Sequence, residues 1–159
     1  MTTDKLVQHM AWANQQLIVG LLQLPDEALA AFVANPQWDV ATILHHIVSA
    51  ADWYVYRLTG RPATEFSKAR RMPEVTPYLE LAARFDEELR HAAQAPDGML
   101  EYLRDGQPQV WPRSTILSQS INHATEPRAQ LVAALEARGF NGINLDEMDV
   151  WSFTARSNK

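Results

Sequence analysis

Five histidines, His9, His45, His46, His91 and His123, carry most of the acid–base and metal-binding potential of this chain. There is no Cys, which removes disulfides, thiolate zinc sites, iron–sulfur clusters and thiol nucleophiles together. Any metal would be held by His, Asp or Glu. His46 falls within a stripe of Ile43, Ile47, Ala50, Trp53, Tyr54 and Leu58, whose spacing of three and four predicts a helix from about Asp39 to Thr59. His123 lies beside a second stripe, Leu117, Ile121, Ala124, Leu131 and Leu135. Buried metal sites in helical bundles are built from side chains on facing helices. His46 and His123 are therefore the candidate ligands, although a lone inward His is more often a hydrogen-bonded core residue. His9 precedes the stripe residue Met10, and His91 adjoins Arg90 and is expected in solvent. Asp52, Trp53 and Tyr56 are weaker candidates for lining a pocket. No Gly-rich phosphate loop, nucleophile elbow or paired-carboxylate motif is present, so no catalytic residue is assigned.

The elements that must position these residues are mostly helical. Leu6, Met10, Ala13, Leu17, Leu21 and Leu24 predict a first helix over 3–24, capped by Thr2 or Thr3 and stopped by Pro25. A short helix follows to about Phe32. Asp39 is the expected N-cap of the second long helix and Gly60 its stop. Residues 60–75 read as a long loop. Thr76-Pro77 reads as a cap and first-turn Pro for a third helix to about Ala95. Asp105-Gly106 predicts a two-residue hairpin turn pairing Leu103 with Pro108. Leu103 and Pro108 would face each other at a non-hydrogen-bonded site, where Pro loses no ladder bond. The fourth long helix is expected from near Ser114 to Gly139, with Pro127 near its middle. The tail, with Leu145, Val150, Trp151 and Phe153, is expected to pack on the bundle and fray over 156–159. The fold class is thus all-α, a four-helix bundle with a small β-hairpin before the last long helix.

The 159 residues suit one domain, 1–159. The net charge of −5 argues against binding the phosphate backbone of nucleic acids. Arg61, Lys68, Arg70 and Arg71 are the one basic concentration, in the long loop. Asp4 stands where a signal peptide would be positive, and no run approaches the ~18 apolar residues of a membrane span. A cytoplasmic protein is expected.

Leu44-His45-His46-Ile47 and Asn122-His123-Ala124-Thr125-Glu126-Pro127-Arg128-Ala129-Gln130 resemble the DinB-like (YfiT-like) family of metalloenzymes. So do Trp12-Ala13-Asn14, the Leu24-Pro25 break, the hairpin before the fourth helix, and Leu145-Asp146 followed by Trp151. The resemblance covers nearly the whole chain and implies an up-down-down-up bundle with one divalent metal, zinc or nickel, held by three His. It maps two ligands onto His46 and His123. The third should immediately precede Arg128, and that residue is Pro127.

Positions 123 and 127 differ by roughly 40° around a helix and address one site, but Pro has no donor atom. The metal centre is expected to be incomplete, with divalent metal weak or absent. Glu126 is an alternative third donor, which would make a 2-His-1-carboxylate set. His45 points about 100° away from His46 and is a poorer one. Arg128 and Gln130 match the family pattern, and either would hold substrate or brace the tail.

The resemblance implies a metal-dependent transferase of the thiol type or a hydrolase. The alternative is a metal-free bundle that binds a small molecule or serves as a structural dimer. A DNA-related role has least support. A homodimer is also expected, from the family's habit and from five Trp and four Tyr that need cover.

Overall fold

The computed structural model describes residues 2–157. Four long helices form its frame: α1, Thr3–Leu21; α2, Val40–Thr59; α3, Thr76–Ala93; and α4, Arg113–Glu136. Helix α1 packs on α3 and α4, and α2 packs on the same two, so consecutive helices α1 and α2 are not the main neighbours. Strands β1, Met99–Arg104, and β2, Gln107–Pro112, form an antiparallel hairpin between α3 and α4. A short fifth helix, α5, Val150–Ser157, follows the tail.

Local chemistry sets the helix ends. Thr2 Oγ1 accepts from Lys5 N, and Asp39 Oδ1 accepts from Thr42 N at 2.7 Å, each satisfying a free N–H of a first turn. Gly60, at φ 75°, closes α2 in the left-handed conformation that favours glycine. Asp97 accepts from both Ser114 N and Ser114 Oγ and so starts α4. Leu103 faces Pro108 in the hairpin register, as the turn chemistry requires, with Asp105 and Gly106 at φ 53° and 75°.

Three local expectations need correction. Thr76 is not a cap: it is itself helical, and α3 continues from a 3₁₀ turn, Met72–Val75. The short helix expected after Pro25 is present as a 3₁₀ turn that ends at Ala30, short of Phe32. The tail folds as α5 through residue 157; the fraying expected at residues 158–159 lies outside the described residues. The tail does pack on the bundle. Ile143 lies over Gly20, where an added Cβ would come within 3.1 Å of it, and Phe153 meets the His9 and Trp12 rings.

The long loop after α2 is tied down by a buried carboxylate. Asp52, 1% exposed, accepts from Arg61 and from the Thr64 backbone, and Arg61 also reaches Glu88 of α3 at 2.7 Å. Asp52→Ala would strip Arg61 of its buried partner. Arg61 is 30% exposed and keeps Glu88, so the cost is that of the lost bonds to Asp52, about 1–3 kcal/mol. The expected result is a lower urea midpoint, with new proteolytic cleavage between residues 61 and 71.

Candidate metal centre

Helices α2 and α4 bring the two mapped histidines together. His46 Nε2 lies 3.0 Å from His123 Nε2, with the rings nearly perpendicular at 82°. At that distance one ring donates its N–H and the other accepts on a bare nitrogen, so the pair is held with at least one neutral ring. Burial pushes His46 below its ordinary pKa, with His123 and His45 adding to the effect and Glu126 opposing it. Trp38 stands edge-on to His46 at 5.4 Å between ring centres, and Tyr54 lies 6.0 Å from His123. Burial raises the Tyr54 hydroxyl above its ordinary value.

Of the pair, His123 borders a narrow slot between the helices, and His46 does not line it. Met10, Asn14, Ile47, Tyr54, His123 and Pro127 line it. Its walls are largely apolar and it encloses only about 10 Å³, room for one water-sized group.

The donor set does not complete a tight metal centre. Pro127, the position to which the resemblance would assign a third imidazole, is buried at the slot and offers no side-chain donor atom. Glu126 is turned elsewhere: its Oε1 accepts from Gln130 Nε2 at 3.1 Å, and Gln130 Oε1 accepts from Trp38 Nε1 at 2.8 Å. Among the described residues no group of three or more His, Asp or Glu stands close enough to share an ion.

Two of the other three histidines, His9 and His45, are held by backbone carbonyls. His45 pairs with the Phe66 carbonyl at 3.1 Å and His9 with the Met148 carbonyl at 2.9 Å, while His91 is exposed. Of the weaker pocket candidates, Asp52 holds the loop and Trp53 is 49% exposed, stacked edge-on with Tyr56. Neither they nor Tyr56 lines the slot. Gln130 braces Trp38 behind His46 rather than the tail.

Arg128 is buried, and its Nη1 donates to Asn14 Oδ1 at 2.8 Å, cross-linking α4 to α1. Burial lowers its pKa to about 10, so it stays charged at neutral pH. Its charge acts on Asp86 of α3, which is also buried and which sequence reading passed over. A signal was present: Asp86 shares the inward face of α3 with Ala82, Phe85 and Leu89.

The model of the DinB family matches residues 1–156. The chain therefore belongs to that family. No curated protein and no solved structure matches it.

Proposed function

We propose that this member of the DinB family is a small-molecule-binding bundle that has given up metal-dependent catalysis. Its helices would run up-down-down-up, His123, bonded to His46, would meet the polar head of the ligand, and the apolar slot walls would meet its body. The observation that carries the reading is Pro127, buried at the third corner beside two imidazoles that hydrogen-bond to each other. The chain would act in the cytoplasm as a homodimer. Supporting the dimer are exposed Met99, Leu103 and Val110 on the outer face of the hairpin. Scattering from dilute solution should give the mass of two chains; the mass of one would remove the dimer. The acidic balance supports no role with nucleic acid.

The test of binding is thermal melting in chelator with hexan-1-ol, a probe with one hydroxyl and a flexible apolar body, which the slot, with room for one water-sized group as it stands, must widen to admit. Saturable stabilisation is expected, and Ala50→Val, which narrows the slot from α2, should weaken it. No stabilisation in the wild type would contradict the reading.

One observation favours a second reading. Two nitrogens that each bind one tetrahedral zinc at about 2.1 Å stand roughly 3.4 Å apart, a small step from the 3.0 Å that separates the two Nε2 atoms. A zinc or nickel ion would then be held by His46 and His123 alone, with exchangeable ligands elsewhere and correspondingly weakly.

A further inference from the structure

Asn14 is a buried amide of α1, 3% exposed, on the wall of the slot that His123 and Pro127 also line. Its orientation is fixed by chemistry. Arg128 Nη1 donates to Asn14 Oδ1 at 2.8 Å, and a guanidinium has donors only. Turning the amide over would set N–H against N–H in a buried place, so the oxygen faces Arg128 and Nδ2 faces away from it. Among the described residues no acceptor receives the Nδ2 hydrogens, and that nitrogen is not sealed from open space. The open space that Asn14 lines is the slot. A buried amide N–H is normally met by an acceptor.

The other polar groups of the slot adapt to what enters. The Ser120 hydroxyl donates to the Leu117 carbonyl at 2.8 Å, and its hydrogen is free to rotate. His123 meets His46 through Nε2, and the proton on its second ring nitrogen follows the tautomer. Asn14 has no such freedom while Arg128 holds it. The slot has room for about one water-sized group, so a polar atom that enters it comes up against Asn14 as well as His123. An atom that accepts completes the amide. An atom that only donates sets a donor against a donor and leaves the amide N–H unmet.

We propose, resting on the reading of the slot as a small-molecule site, that Asn14 sets its specificity for ligands that carry an acceptor oxygen, a carbonyl compound with an apolar body foremost. The Nδ2 hydrogen donates to that oxygen. Arg128 is a positioning residue: it holds the amide in one orientation and does not itself line the slot.

Thermal melting of the full chain in chelator, with hexan-2-one, which accepts but cannot donate, beside hexan-1-ol, which does both, tests this. Both should stabilise the wild type saturably. Asn14→Asp keeps an oxygen for Arg128 and turns the slot-facing N–H into a second acceptor. The variant should keep the alcohol, which can donate to it, and bind the ketone at least ~10-fold more weakly, because lone pair then meets lone pair. In the wild type the Asn14 side-chain N–H resonances should move saturably with the ketone, a readout that does not depend on how the variant folds. Failure of both probes on the wild type would remove the slot as a binding site, and this proposal with it. Alcohol binding without ketone binding, equal ketone binding by wild type and Asn14→Asp, loss of both probes alike in the folded variant, or ketone stabilisation that leaves the Asn14 resonances unmoved would overturn the role of Asn14 alone.

Discussion

Pro127→His is expected to raise zinc affinity by roughly a hundredfold or more. Structural zinc sites gain about 10–16 kcal/mol from four donors, or about 3 kcal/mol each, and 1.4 kcal/mol is tenfold. The new imidazole would stand one helical turn from His123, on the face that already brings His123 to His46. A second gain needs no metal. Helix α4 runs unbroken through Pro127, which lacks the N–H that would bond to the His123 carbonyl. Interior Pro costs about 3 kcal/mol against an ordinary residue. Burying an imidazole returns part of this, so about 1–2 kcal/mol of added stability is expected in chelator. Isothermal titration and urea melts separate the two effects. His46→Ala in the Pro127→His background should remove the affinity gain and leave most of the backbone gain. Affinity that rises equally with and without His46 would show that the two histidines do not share an ion.

Asp86→Asn is expected to stabilise the chain at pH 8. The Asp86 carboxyl goes from an ordinary 3.8 to about 7 in the fold, chiefly through burial. An acid whose pKa rises on folding prefers to be protonated there. The folded state of the wild type therefore loses stability as pH climbs from about 4 to about 7, and the full loss is felt above 7. Each pKa unit is worth 1.36 kcal/mol, which gives a gain of about 2–4 kcal/mol for the neutral isostere. For a chain of this size that is on the order of 10 °C in Tm. Near pH 4 the two proteins should melt alike. Melting curves from pH 4 to 8 check this, and a wild type whose advantage grows with pH would reverse the sign.

Much of this arrangement was legible before any coordinates. The Asp105-Gly106 turn set the hairpin and its register, because two adjacent left-handed positions leave few other solutions. Asp39 and Gly60 marked the ends of α2 through a side-chain acceptor and a free left-handed residue. His46 and His123 meet across 77 positions; their stripes put them inward, and the family resemblance paired them. What escaped reading has physical reasons. Trp53 sits at the border of its stripe and falls outside, since a helical face has soft edges about one residue wide. Helix α5 has eight residues, too few for a periodic pattern to stand out. Thr76 resembles a cap, but the preceding 3₁₀ turn already supplies the helical start, so its side chain is not needed. Asp86 reads as a solvated charge until α1 closes over it.

The most direct measurement is zinc stoichiometry. The purified wild-type chain would be loaded with excess zinc, dialysed against metal-free buffer, and its zinc and sulfur compared by elemental spectrometry, with five methionines fixing the protein concentration. With two imidazoles and a Pro at the third corner, the expected result is well under one zinc per chain, while Pro127→His retains close to one under the same dialysis. One zinc per wild-type chain surviving dialysis would contradict the account, because a third protein donor would then have to complete the centre.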